Sequence, residues 1–423
     1  MKLPDWISLS VDNALSRFPH KRLVLGFLVA GSFLSASAQS VFAPGPAPAP
    51  PQPAAASTPT TSATNEGLAT PVTAPFQWGV LGFRPHFFYR YSYGDGIQTQ
   101  PGLQRTSSVQ TVAPGMLVDI GTHWTADYTP TWTFYSNRAF SDNVAHSADL
   151  TGVASFTDGN LNFVQRYAKS DNPLIETGQQ TRQETATTAL TVNYALTQKT
   201  RLEASIDQDL RYVSGAPNSY EWSTQEWLHY QFSNRIDTAV GFGFGYVNVE
   251  PGTDMTYTRP QVRVGWRPTE KLSFDVHGGA EQREFRQSNA GSLNNPVYGA
   301  SVQYRPIDVT TISIQGDRGV TASYFANQVT ENTTWSANLN QRLLEVLHLS
   351  ASVSRGKSNY VATIAGLATN RDDVSTSYVV RLGTSFLHHG TIGVVYQHVR
   401  NSSNASGFSF SSDQTGVEVG YSY

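Results

Sequence analysis

The stretch from Ala186 to Tyr212, ATTALTVNYALTQKTRLEASIDQDLRY, decides the fold. Strand side chains alternate with a period of two, so Ala186, Thr188, Leu190, Val192, Tyr194 and Leu196 share one side while Thr187, Thr191 and Asn193 share the other. After the polar turn Thr197-Gln198-Lys199-Thr200 the alternation resumes. Leu202, Ala204, Ile206, Leu210 and Tyr212 form one face; Arg201, Glu203, Ser205, Asp207, Asp209 and Arg211 form the other. Hairpins of this length rarely occur in a water-soluble sandwich core, whose outward face must also be wet. They suit a sheet with its apolar side against lipid and its polar side against a lumen.

The same pattern runs through the chain. Upstream, Leu81, Phe83, Phe87, Tyr89, Tyr91 and Tyr93 alternate with Arg84, His86, Arg90 and Ser92, and Trp124, Ala126, Tyr128, Trp132 and Phe134 with Thr125, Asp127, Thr131 and Thr133. Downstream, Phe242, Phe244 and Tyr246 alternate with Gly241, Gly243 and Gly245, and Leu347, Leu349, Ala351 and Val353 with His348, Ser350, Ser352 and Ser354. No amphipathic helix of convincing length interrupts the series.

Short connections, such as Gly121-Thr122, 197–200, Ser233-Asn234, Pro268-Thr269-Glu270 and His388-His389-Gly390, alternate with long polar ones at 94–105, 136–143, 169–183, 214–220, 250–255, 287–295, 320–331, 356–373 and 401–412. Strict alternation of tight turns and long loops marks an outer-membrane barrel. The expected fold is all-β: a single transmembrane antiparallel up-and-down barrel of about eighteen strands, within a range of sixteen to eighteen, with both ends periplasmic. Backbone groups in hydrocarbon must be satisfied internally, so the first strand, from Trp78 to Tyr93, is expected to pair with the last, from Phe408 to Tyr423.

Three regions precede or form this unit. Residues 1–38 read as an export signal, with basic His20-Lys21-Arg22, the apolar run LVLGFLVAGSFL (23–34) and Ala36-Ser37-Ala38, which places cleavage after Ala38. Residues 39–76 are rich in Pro, Ala and Thr and read as a disordered periplasmic spacer, since dense proline removes backbone donors and favours extended chain. The barrel is expected over 77–423.

Composition closes other options. Lys and Arg total 29 against 32 Asp and Glu, and without residues 1–38 the balance is 25 against 30, which argues against a nucleic-acid partner. The chain has no Cys, which excludes disulfides, thiol catalysis and Cys-ligated metals. Adjacent His388 and His389 point to opposite faces of a strand and suit a turn better than a metal site. Asp275, His277 and neighbouring serines do not form a hydrolase signature, because no Gly-x-Ser-x-Gly elbow accompanies them. The Gly241-Gly243-Gly245 run lacks the following helix of a phosphate loop and is expected instead to relieve crowding inside the barrel. No catalytic residue, cofactor or metal is expected.

The candidate functional residues are the charged members of the inward face: Arg84, Arg90, Glu203, Asp207, Asp209, Arg211, Arg259, Arg263, Asp275 and Arg381. Charges of both signs survive there only beside water or each other. Arg259 and Arg263 either face Glu203, Asp207 and Asp209 across the lumen, setting a transverse field, or pair locally. Outward aromatics near strand ends, Trp124, Trp132, Trp222, Tyr230, Trp266 and Tyr304, suit interfacial girdles. Loop aromatics including Tyr324, Phe325, Tyr360, Phe408 and Phe410 could stack on sugars, fold back to constrict the pore, or serve neither end.

The final stretch GVEVGYSY puts Val417, Val419, Tyr421 and Tyr423 on one face and ends on an aromatic. Here the chain resembles bacterial outer-membrane β-barrel proteins. That resemblance implies outer-membrane lipid as surroundings and the barrel assembly machinery as a partner reading Val419, Tyr421 and Tyr423. The turn neighbourhoods Tyr194-Ala195-Leu196-Thr197, Gly265-Trp266-Arg267-Pro268 and Gln303-Tyr304-Arg305-Pro306 resemble those of porins and of outer-membrane barrels found beside exopolysaccharide gene clusters. The expected function is a porin-like passive channel for small hydrophilic solutes or saccharides, without turnover. The alternative is a non-conducting structural or exopolysaccharide-export barrel.

Overall fold

The computed structural model describes residues 74–95, 106–177, 179–286, 288–344, 346–367, 369–387 and 389–423. The expected signal and nearly all of the spacer lie outside them, as does His388. Eighteen long antiparallel strands follow one another around a closed sheet. The first six are β1 (Leu81–Asp95), β2 (Thr106–Ile120), β3 (Trp124–Tyr135), β4 (Asn143–Phe156), β5 (Gly159–Ser170) and β6 (Gln183–Ala195). Next come β7 (Thr200–Val213), β8 (Asn218–Ser233), β9 (Ile236–Glu250), β10 (Met255–Thr269), β11 (Leu272–Phe285) and β12 (Ser292–Ile307). The last six are β13 (Thr310–Ala322), β14 (Gln328–Leu343), β15 (Leu347–Ala362), β16 (Asp372–Phe386), β17 (Gly390–Ser403) and β18 (Phe410–Ser422).

Closure is made by β1 against β18, with Phe87 opposite Tyr421 and Tyr91 opposite Val417. No edge is left along this seam, as hydrocarbon surroundings require. The barrel begins at Leu81 rather than Trp78. Phe76–Trp78 forms a short separate strand folded back on Leu81–Phe83, because Gly79 takes φ +61° and reverses the chain.

Register fixes the faces. Leu190, Val192 and Tyr194 stand opposite Ile206, Ala204 and Leu202, and this set points outward; Arg201, Glu203, Asp207 and Asp209 point inward. The outer surface exposes Trp124, Trp222, Tyr230, Trp266 and Tyr304, and Trp132 shares their face. Glu226 breaks this apolar exterior. It lies on the outer face between Ala204 and Phe242, four residues along β8 from both Trp222 and Tyr230, and its side chain makes no hydrogen bond or ion pair among the described residues. A closed antiparallel barrel with a greasy, ring-bordered exterior is a membrane-spanning structure, and the protein belongs in the bacterial outer membrane.

The inward glycines of β9 make room for large neighbours. A Cβ on Gly241 would sit 2.4 Å from the Trp227 ring, and one on Gly245 would sit 2.2 Å from the Tyr257 ring. Both rings are buried against the wall.

One segment departs from regular closure. β12 and β13 pair only from Tyr298–Arg318 toward the short-turn end. Beyond that point β13 parts from β12 while β14 stays paired with β15 as far as Gln328–Ala362, and Val320, Ala322 and Val329 pack on inward Val247, Val249, Met255 and Tyr257 of β9 and β10. Burial of this apolar set drives the hairpin tip into the external mouth.

Candidate functional site

Two inserts that meet extend across the external mouth. Between β5 and β6 the connection carries a small two-stranded turn, Pro173–Leu174 against Gln179–Gln180. Its Ile175 packs with Val109, Tyr135, Phe140, Val399 and Phe410, and its Leu174 with Val213 and Tyr324. These partners come from widely separated strands, so the connection spans the opening rather than lying on its rim.

Glu176 is the joint between the inserts. Its carboxylate, 2% exposed, accepts a hydrogen bond from the Ser323 hydroxyl and another, at 2.7 Å, from the Tyr324 backbone nitrogen. A buried carboxylate is stable only when its lone pairs are met in this way. Arg371 supports the same connection, donating to the Glu176 carbonyl at 2.8 Å while pairing with Asp373 at 2.5 Å. Its guanidinium lies 3.5 Å from the Phe408 ring centroid and 4.6 Å from that of Tyr360. Phe325 flanks the same cluster. From the far wall Arg211 donates to the Ala322 carbonyl at 2.9 Å and covers the Tyr324 ring at 4.2 Å. Burial pushes the Tyr324 hydroxyl upward against the opposing pull of Arg211. The aromatics of this region therefore fold back into the mouth. Tyr360 and Phe410 belong to β15 and β18 rather than to loops.

By register, the ten charged residues singled out from the sequence share the inward face of their strands, with Arg211 at the mouth. Most are paired with an adjacent strand, because opposite charges in register are held close. Arg84 meets Asp119 at 2.5 Å, Arg259 meets Glu281 at 2.6 Å, and Arg263 meets Asp275 at 2.9 Å. Among the described residues Arg259 and Arg263 thus form no ion pair with Asp207 or Asp209; toward the acidic run, Arg263 approaches Glu203 at 4.0 Å. Glu203 also lies 3.2 Å from His229, which in turn lies 3.0 Å from Asp237.

Two opposed walls differ in charge. On β7 and β8, Asp207, Asp209 and Glu221 form an acidic ridge with no ion pair among the described residues, although the Tyr257 hydroxyl donates to Glu221 at 2.6 Å. Half the circumference away, on β16, β18 and β1, Arg381 and Arg90 share the single carboxylate of Glu418 at 3.5 and 3.0 Å.

At the opposite end, Tyr423 stacks on His389 at 4.3 Å between ring centroids, and the His389 ring approaches the Ser422 carbonyl at 3.1 Å. Val419 and Tyr421 face outward beside Ile392 and Gly390. Among the described residues no cluster of His, Asp or Glu is arranged to hold a metal ion.

Alternation assigns the ten charged residues to one face of their strands but says nothing of Glu176, Ser323 or Arg371, which sit in or beside connections where no period operates. The one local signal was the length of 169–183.

No family model matches the chain, and no curated protein matches it. Among solved structures it is similar to Pseudomonas aeruginosa OccK2 (OpdF), at 12% identity and TM-score 0.44 over 80% of this chain and 98% of that one. It is also similar to Pseudomonas aeruginosa OpdL (13%, TM-score 0.41, 81% and 98%) and Acinetobacter baumannii OccAB3 (10%, TM-score 0.41, 81% and 99%).

Proposed function

We propose that this outer-membrane barrel is a passive, porin-like channel for small hydrophilic solutes, saccharides among them, narrowed at its external mouth by the 171–182 connection. The observation that carries this is the polar, doubly charged lumen of an eighteen-strand barrel. Such a barrel is too wide for its own side chains to fill, so water must occupy the remainder.

The acidic ridge Asp207–Asp209–Glu221 and the opposing Arg90–Arg381 wall would set a field across the path. A solute with separated hydroxyls or opposite charges gains from aligning in it. The mouth inserts set the size limit. Catalysis has no part in this proposal, because exchange of solute down its gradient needs only a wet path.

Purified protein in planar bilayers should give discrete conductance steps, and vesicles bearing it should swell in small sugars more slowly as sugar size increases. A barrel that is silent at all salts and voltages, with no swelling, defeats the proposal. The alternative of a non-conducting export barrel draws on the spacer, nearly all of which lies outside the described residues.

A further inference from the structure

Outward cations gather on one part of the external rim. Arg355 on β15 stands opposite Thr376 on β16, and Thr376 stands opposite Arg400 on β17; Lys357 follows Arg355 on the same face. All three cations are exposed. None makes an ion pair among the described residues. The carboxylates nearest on this surface do not neutralise them: Glu331 is held by Arg318 at 3.1 Å, Asp413 accepts from Tyr396 and His398, and Asp372, diagonal to Lys357, forms no ion pair with it.

Their height matters as much as their charge. Along these strands the exposed rings of Trp335, Tyr378 and Tyr396 mark the upper edge of the apolar exterior, and the cations lie beside or beyond them toward the external ends. That is the level at which headgroup phosphates of the outer leaflet stand. Arg400 also borders an open groove of about 540 Å³ on the β17–β18 side, lined by His398, Ser402, Ser409 and Ser411. Hydroxyls and an imidazole suit a sugar next to a phosphate.

We infer that Arg355, Lys357 and Arg400 form a binding site for the phosphorylated sugar headgroup of an outer-leaflet glycolipid. Arg355 and Lys357 take phosphate from one side and Arg400 from the other. The groove beside Arg400 receives the sugar, while the acyl chains lie on the apolar wall below.

The test uses the full barrel in detergent, with purified lipopolysaccharide as probe and native mass spectrometry or tryptophan fluorescence as readout. Wild type should bind lipopolysaccharide, and the triple variant R355Q/K357Q/R400Q should bind about 100-fold more weakly at low salt, since each surface cation contributes roughly five-fold. The charge-conserving R355K/R400K variant should retain most of the affinity, and all variants should keep the heat-modifiable gel mobility of a folded barrel. Chemically dephosphorylated lipopolysaccharide should bind wild type no better than the triple variant does. Equal affinity of wild type and triple variant, or of phosphorylated and dephosphorylated probe, overturns the site. Inorganic phosphate that binds alone and displaces the lipopolysaccharide at micromolar concentration would make it a free-phosphate site and overturn the lipid assignment.

Discussion

The carboxylate of Glu176 and the backbone nitrogen of Tyr324 lie 2.7 Å apart across 148 residues of chain. This contact joins the β5–β6 connection to the displaced β13–β14 tip and so fixes how far the mouth is closed.

Replacing Glu176 with Ala leaves the Tyr324 nitrogen and the Ser323 hydroxyl without their acceptor. Leaving a buried donor without its acceptor costs roughly 1–3 kcal/mol for each group, enough for two of them to release a surface connection from its docked position. E176A should therefore raise single-channel conductance and its noise. R371A should act in the same direction, and R371K should not restore wild-type behaviour, because one ammonium cannot hold both Asp373 and the Glu176 carbonyl in a planar fork. Planar-bilayer recordings check both; conductance unchanged in E176A would remove the connection from the conduction path.

Lumen selectivity should follow the two walls. Neutralising the acidic ridge with D207N/D209N should move the reversal potential under a salt gradient toward anion preference, and R381Q should move it toward cations. A shift in permeability ratio on the order of two- to five-fold is expected for charges acting through water at close range. Identical reversal potentials in all three proteins would show that the ridge does not face the ions.

Gly245 yields space to Tyr257, whose ring is held by Glu221 below it and by the guanidinium of Arg283 at 4.7 Å. G245A forces the ring off this position and should lower stability by about 1–3 kcal/mol in urea unfolding from lipid vesicles. In the Y257A background the same substitution should cost less, so the double-mutant cycle reads the clash itself. Additive effects would rule the clash out.

Glu226 faces lipid midway between Trp222 and Tyr230. Replacing it with Leu restores the apolar exterior, and E226L should gain about 1–2 kcal/mol in the same urea assay. A loss of stability would show that this carboxylate meets a partner on the membrane side.

The outer and inner faces of strands such as β6 and β7 could be assigned from sequence because a period of two commits each side chain to one side once its neighbour is placed. Leu190 and Asp207 needed no structure to be separated. Pairing within the lumen was only half legible. Alternation put Arg259 and Arg263 on the inward face, yet whether they met Glu281 and Asp275 next door or an acidic run farther round depended on register, which alternation does not supply.

By itself the sequence determined the closed barrel, a range of sixteen to eighteen strands and the polarity of the two faces, since these follow from local periodicity and from the demand that backbone groups in hydrocarbon be paired. Only the tertiary structure decided that the β13–β14 tip leaves β12 and that Glu176 caps it. Both depend on contacts between residues far apart in the chain, where the burial of Val320, Ala322 and Val329 outweighs the hydrogen bonds given up along the wall, and no local pattern encodes that balance.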